Sequence, residues 1–92
     1  MRYVISYDIS DDAVRTRVAE AVDDYGVRVQ YSVFECTLTG PDLSKLRGRL
    51  KRLVRDHTGA SVRFYPLCDR CSASIQALES TGEVTDEGFV IV

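Results

Sequence analysis

Three carboxylates lie close together near the start of the 92-residue chain, at Asp8, Asp11 and Asp12. Carboxylate oxygens are ligands that Mg²⁺ prefers, and this ion keeps several waters while taking only one or two protein carboxylates. Asp11 and Asp12 also suit a helix start, where aspartate accepts hydrogen bonds from unpaired backbone N–H groups. Asp8 lies one turn too early to cap that helix. We therefore expect capping from Asp11 and Asp12, and either a structural role or metal binding for Asp8.

Arginine supplies ten of the twelve basic residues, and its guanidinium binds phosphate in a bidentate manner. Arg15 and Arg17 lie two residues apart on a predicted helix, so they cannot share one face. Residues 43–55 of a second predicted helix contain no acid and carry a basic face. Without acidic partners such a face favours an external anion, although a solvated helix surface has the same pattern. The face consists of Lys45, Arg47, Arg49, Lys51, Arg52 and Arg55.

The three cysteines are an odd number, and two of them, Cys68 and Cys71, form a CxxC motif. Zinc needs four ligands, and only Cys36 and His57 remain as soft candidates. Three interpretations stay open: reduced residues in a turn, a zinc site shared between two subunits, or a redox switch. His57 alone suits a helix C-terminus. The sequence contains neither a Gly-rich dinucleotide motif nor a P-loop.

The composition is that of an ordinary globular protein, with 45% hydrophobic and 28% charged residues. The length predicts one domain over residues 1–92. No apolar run approaches the ~20 residues that span a bilayer, and an acid at position 8 comes too early for a signal peptide. We therefore expect a cytoplasmic protein with no membrane partner. Residues 25–70 carry nine basic and four acidic side chains, which indicates a local anion-binding region despite the net charge of −2.

The hydrophobic pattern predicts a buried strand over residues 2–8 and then an amphipathic helix that begins at 10–12 and stops at Gly26. Residues 27–39 have strand composition, but their alternation changes phase near Tyr31 and Ser32, which predicts two short strands. A second helix begins at residues 40–42 and ends near Thr58 and Gly59. Residues 60–67 are predicted to form a strand, and Pro66 indicates that it is an edge strand or that the strand ends there. A helical turn at 75–78 and a final strand at 88–92 complete the prediction.

This order is β-α-β-β-α-β plus one extra strand. It indicates an α+β ferredoxin-like sandwich, in which two helices cover one face of an antiparallel sheet. We place the core of this single domain at about residues 1–67 and a C-terminal tail at about 68–92. The short apolar strand at 88–92 suits addition to a sheet edge of a second copy, which predicts a homodimer clasped by the tail.

Three segments carry a family resemblance: YDI at 7–9, RTRV at 15–18 and YGVRVQYSVFEC at 25–36. They closely resemble the Cas-two family of CRISPR-associated proteins, and the last is highly specific. The run RFYPLC at 63–68 is similar to the family's fourth strand. The resemblance covers nearly the whole chain, although the tail after Cys71 matches only loosely.

The resemblance implies a small ferredoxin-like homodimer that acts in spacer acquisition. Some members are metal-dependent endonucleases that cut single-stranded RNA or double-stranded DNA. In spacer acquisition the dimer bridges dimers of the Cas-one integrase and binds the prespacer duplex. The resemblance therefore implies Mg²⁺, or Mn²⁺, as cofactor and a non-catalytic scaffold as the alternative function.

The resemblance also implies individual roles. Asp8 matches the family's metal-binding aspartate, and a two-fold axis would bring one Asp8 from each subunit to the ion. The matched residues linked to activity are Arg15, Arg17, Arg28 and Phe34, with Ser32 beside them. For nucleic-acid binding we predict Arg15, Arg17, Lys45, Arg47, Arg49 and Arg52.

Two other functions share this fold. A VapD-like toxin ribonuclease begins with a similar sequence, but the RVQYSVF run at 28–34 favours the CRISPR family. Acylphosphatase chemistry uses an Asn side chain, and the chain contains no Asn.

Overall fold

A computed structural model describes residues 1–78 as four strands and three helices. The strands are β1 (Arg2–Asp8), β2 (Gly26–Gln30), β3 (Val33–Thr37) and β4 (Ser61–Leu67), and the helices are α1 (Asp12–Asp23), α2 (Gly40–Val54) and α3 (Asp69–Ala73). The predicted strand at 88–92 lies outside the described residues. None of the helices within residues 1–78 is long and apolar enough to cross a membrane.

The strands form one antiparallel sheet in the order β2-β3-β1-β4. With α1 and α2 as the connections, this order confirms the predicted ferredoxin-like α+β fold. Pro66 lies in β4, which is an edge strand as predicted, and an edge position tolerates the missing N–H group. The predicted break at Tyr31 and Ser32 is a turn between β2 and β3.

Alternation along the strands gives the sheet two different faces. Ile5 of β1 pairs with Phe34 on one side and Phe64 on the other, and this face packs on the helices. Val4 pairs with Glu35 and Tyr65, so these side chains point to the opposite face, which the helices do not cover. The core on the helix side includes the fully buried Ile5, Val18, Val22, Phe34 and Leu46.

Each long helix begins after a capping side chain, of which the sequence predicts Asp11 but not Thr39. Asp11 precedes α1, and its carboxylate accepts a hydrogen bond from the Val14 N–H at 2.9 Å, which lowers the pKa of Asp11. Thr39 precedes α2 and forms a reciprocal capping box with Asp42.

The predicted role of Gly26 as the stop of the first helix is wrong. Helix α1 ends at Asp23, followed by Asp24 in a right-handed conformation, and Gly26 begins β2 without a positive φ. A Cβ on Gly26 would lie 2.3 Å from the Glu35 carbonyl oxygen. Glycine is needed here because β2 approaches β3 closely.

Two other boundaries differ from the prediction. Helix α2 ends at Val54, before the predicted stop, and Gly59 adopts φ 84° within the turn that leads to β4. The predicted helical turn at 75–78 is also wrong, because the short helix is α3, and Ser74 ends it. Cys68, whose thiol accepts the Cys71 N–H, caps this helix in a way that apolar periodicity does not reveal.

Candidate metal site and nucleic-acid interface

The carboxylate of Asp8 lies at the end of β1, exposed to solvent. Its register opposite Ser61 and its alternation with Ser6 and Val4 place it on the uncovered face of the sheet. Within residues 1–78, no three His, Cys, Asp or Glu side chains form a cluster that would hold a metal ion. One exposed carboxylate per chain suits Mg²⁺ only when a second copy adds its own, because a single carboxylate is a sparse ligand set.

An open cavity of about 430 Å³ lies on the helix side, between α1 and the β2 end of the sheet. It brings together residues from four elements and a turn, because β1, β2 and β3 are adjacent and α1 packs beside them. Its walls include the side chains of Tyr7, Arg15, Glu20, Arg28, Tyr31 and Phe34. Two arginines, two tyrosines and two carboxylates make its lining polar, and of these six residues the sequence predicted only Arg15 and Arg28.

Arg28 extends from β2 over the buried ring of Phe34, with its guanidinium carbon 5.2 Å from the ring centroid. It donates a hydrogen bond to the Tyr7 hydroxyl at 3.3 Å, and that hydroxyl donates to the Tyr31 carbonyl at 3.4 Å. Phe34 is fully buried, so it supports the guanidinium from below and does not face solvent. The arrangement aims the donors of Arg28 into the cavity from a fixed base.

Arg15 projects from the first turns of α1 towards the end of β1. It donates to the carbonyl of Ile9 at 3.0 Å and to the carboxylate of Asp12, and it lies 6.0 Å from the Tyr31 ring centroid. The hydrogen bond that Arg15 donates to the Asp12 carboxylate raises the pKa of Arg15, so the guanidinium stays charged. Arg15 therefore contacts the backbone immediately after Asp8, although Asp8 itself belongs to the other face.

The remaining predicted residues of this group lie apart from the cavity. Arg17 is exposed on α1 outside it, close enough to Asp11 for its charge to help lower the pKa of that carboxyl. Ser32 lies in the β2–β3 turn, where its carbonyl accepts the Tyr7 N–H at 3.1 Å. Ser32 thus holds the turn against β1.

Tyr7 and Tyr31 are the residues that sequence reasoning missed. Tyr7 is 4% exposed and alternates with Ile5, so its pattern is that of a core residue. Only its hydroxyl, which reaches both Arg28 and Tyr31, shows its second role. A tyrosine among aliphatic core residues is the one signal in the sequence that would have pointed to it.

The basic face of α2 is exposed along its whole length. Arg49 forms an ion pair at 3.3 Å with Asp24, which follows the end of α1, and this pair neutralises part of the charge. No acid within residues 1–78 pairs with the other four cations of this helix. Two of them, Arg47 and Lys51, also line a groove of about 520 Å³ beside β4. The four are Lys45, Arg47, Lys51 and Arg52.

A family model, a sequence relative and two solved structures that resemble this chain all carry the same family name. Residues 1–75 match the family described as CRISPR associated protein Cas2. A CRISPR-associated endoribonuclease Cas2 from Synechocystis sp. is 49% identical over 90 residues, which are 98% of this chain and 97% of that protein. The crystal structure of Streptococcus pyogenes Cas2 aligns with a TM-score of 0.74 at 30% identity, over 84% of this chain and 98% of that one. A chain of a partial Cas6-RT-Cas1–Cas2 complex aligns with a TM-score of 0.66 at 29% identity, over 76% of each chain.

Proposed function

The chain belongs to the Cas2 family, the Cas-two family of the sequence resemblance, and from that membership we propose that it acts in spacer acquisition as a metal-dependent endonuclease. Its substrates are single-stranded RNA or double-stranded DNA, whose phosphodiester bonds it hydrolyses. The observation that carries the proposal is the exposed Asp8 carboxylate at the end of β1, on the uncovered face of the sheet. The name of the Synechocystis relative, an endoribonuclease, supports it.

Asp8 would hold the metal together with Asp8 of a second copy. Two copies that pair through their uncovered faces bring these two carboxylates towards a common axis. When bound, Mg²⁺ or Mn²⁺ would polarise a phosphate oxygen and lower the pKa of a coordinated water. The homodimer is therefore part of the proposed site.

Arg15 and Arg28 orient the nucleic acid. Each guanidinium is held by hydrogen bonds from one side, and both line the same cavity. A guanidinium so fixed loses little side-chain freedom when it binds a phosphate. Arg15 also donates to the carbonyl of Ile9, which follows Asp8, so a phosphate bound to Arg15 would lie near the end of β1, on the opposite face of the sheet from the Asp8 carboxylate.

A second function, supported by α2, is a non-catalytic scaffold. Four cations on this helix, which pair with no acid among residues 1–78, form a surface that fits the phosphates of a prespacer duplex. The structural similarity to a chain of a Cas1–Cas2 complex supports the Cas1 integrase as partner. In this role the dimer bridges Cas1 dimers, and Asp8 has no function in it.

One substitution separates the two functions. Asp8→Asn keeps the shape of the side chain but removes its charge and most of its affinity for Mg²⁺. We expect metal-dependent cleavage to fall by roughly a thousandfold, because a ligand that acts in the transition state is lost. Spacer acquisition with Cas1 present should continue, because the dimer and α2 remain.

The matched control is Asp56→Asn, which neutralises another exposed aspartate, one that pairs with Arg55 at 3.8 Å. It should leave both cleavage and acquisition unchanged. Cleavage that persists in Asp8→Asn would show that another group binds the metal. Loss of acquisition as well, in a variant that stays folded and dimeric, would show that chemistry at Asp8 is needed for acquisition.

A further inference from the structure

The CxxC pair at the junction of β4 and α3 takes no part in the function proposed above. We propose that Cys68 and Cys71 form a reversible dithiol–disulfide pair that is oxidised by low-molecular-weight disulfides such as oxidised glutathione. Both residues are exposed, so a small disulfide reaches them from solvent. The proposal uses none of the residues assigned to metal or nucleic-acid binding.

The two side chains already lie together. Cys68 immediately precedes α3, and its sulfur accepts a hydrogen bond from the Cys71 N–H at 3.3 Å. The thiols of Cys68 and Cys71 also hydrogen-bond to each other. A disulfide holds its two Cβ atoms about 3.5–4.5 Å apart, so forming the bond requires the two residues to move slightly closer within this one turn.

The two thiols differ in a way that suits thiol–disulfide exchange. Hydrogen bonds from the backbone N–H and the thiol of Cys71 lower the pKa of Cys68, whereas the contact with Cys68 raises the pKa of Cys71. Cys68 is therefore the attacking thiolate, because the thiolate is the reactive form of cysteine. Cys71 is the resolving thiol.

The exchange proceeds in two steps. The Cys68 thiolate attacks one sulfur of oxidised glutathione, its S–S bond breaks, and the first glutathione leaves as a thiolate. Cys71 then loses its proton and attacks the Cys68 sulfur of the mixed disulfide, which releases the second glutathione. Two protein thiols are oxidised to one disulfide, one glutathione disulfide is reduced to two thiols, and the two protons end on the glutathione products.

The alternatives are less consistent with the surroundings of the pair. A structural zinc site needs four ligands, and within residues 1–78 no third His, Cys, Asp or Glu joins the two cysteines in a cluster. Cys36 is unsuited to exchange because it is 1% exposed, and burial raises its pKa to about 11. It therefore provides an internal control in the same chain.

The experiment exposes the reduced full-length chain to oxidised glutathione, blocks remaining thiols and digests the product with trypsin. Cleavage after Arg63 and Arg70 separates Cys68, in peptide 64–70, from Cys71, in peptide 71–92. We expect these two peptides to remain joined by one disulfide that dithiothreitol reverses. In the native reduced chain, Cys68 should react with iodoacetamide at least about tenfold faster than Cys36.

Variants assign the roles. Cys36→Ser should still form the disulfide, and Cys71→Ser should stop at a stable glutathione adduct on Cys68. A disulfide between two chains, separate glutathione adducts on Cys68 and Cys71 of the natural sequence, unchanged free thiols, or stoichiometric zinc in the purified protein would each overturn the proposal. None of these readouts depends on nuclease activity or on spacer acquisition.

Discussion

At the scale of a single residue, Gly26 controls how closely β2 approaches β3. Its missing side chain makes room for the Glu35 carbonyl oxygen and the Cys36 sulfur, which would lie 2.3 and 2.4 Å from a Cβ. These distances are far below van der Waals contact, and one of them involves backbone. The strand that carries Arg28 therefore depends on glycine two residues earlier.

We expect Gly26→Ala to lower the free energy of unfolding by about 1–3 kcal/mol, because an added methyl must push the strands apart. Gly40→Ala is the matched control, because nothing lies within 4 Å of its Cβ position and it opens α2. That control should be neutral or slightly stabilising. Urea denaturation at equal protein concentration gives both values. Equal stability of the two variants would show that β2 moves away from β3 without cost.

Sequence reasoning misjudged Gly26 for a physical reason. A glycine just after an apolar helical stripe is typical of a helix C-terminus, and nothing in the linear sequence shows which strand will lie beside it. Asp11 was predicted correctly because capping depends on residues three positions away. The hydrogen bond between Arg28 and the Tyr7 hydroxyl forms only when three strands pair. The residue pattern of a single strand does not show this pairing.

At the scale of elements, α2 combines a buried apolar stripe with a basic exposed face. Lys45, Arg49 and Arg52 follow i, i+4, i+7 spacing and lie on one side, while Arg47 and Lys51 lie towards β4. Arg49 is partly neutralised by Asp24, so Lys45 and Arg52 are the cations of that side without an acidic partner within residues 1–78. Substitutions on α2 therefore test phosphate binding more directly than the number of arginines in the whole chain can indicate it.

We expect Arg52→Gln to weaken duplex DNA binding equally for unrelated sequences, because phosphate contacts carry no sequence information. The slope of log affinity against log salt should become less negative by about 0.9, the loss of one phosphate contact. Adding Lys45→Gln should roughly double that change. Arg70→Gln on α3 removes the same charge and should leave the slope unchanged. An equal effect of Arg70→Gln would mean that net charge, and not α2, determines binding.

Hydrophobic periodicity predicted the long elements more accurately than the short ones. Helix α2 repeats its apolar residues over four turns, so its start and its faces were predicted correctly. In residues 27–39 the apolar side chains switch from one face of the strand to the other. This switch located the turn between β2 and β3, because a continuous strand cannot change its buried face without a break. Helix α3 has five residues, too few for a repeat, and its cap is a cysteine, a residue that ordinary capping rules do not include.

At the scale of the whole molecule, the sheet has one face without a helical cover. Val27, Glu35, Val4 and Tyr65 form a row across all four strands on this face. Val27 is 67% exposed and Tyr65 is 45% exposed, although both are large and apolar enough to favour burial. The same face carries Asp8 at its end, so a second copy placed here would complete the metal site proposed above. The uncovered face is thus a candidate interface for the predicted homodimer, and the sequence alone did not identify it.

Val4→Lys tests this surface at its centre. Glu35 lies directly across from Val4, so a lysine there gains an acidic neighbour in the single chain, while pairing of two copies would bury its charge. We expect the variant to keep its fold by circular dichroism and to dimerise at least about tenfold more weakly by light scattering at micromolar concentration. Ala13→Lys, at an exposed position of α1, adds the same charge and should leave the dimer intact.

A chain ending at residue 87 tests the predicted clasp separately. If this truncated chain becomes monomeric while Val4→Lys stays dimeric, the tail and not the sheet face holds the two copies together. Full dimers in both variants would exclude both surfaces and remove the second Asp8 from the proposed metal site.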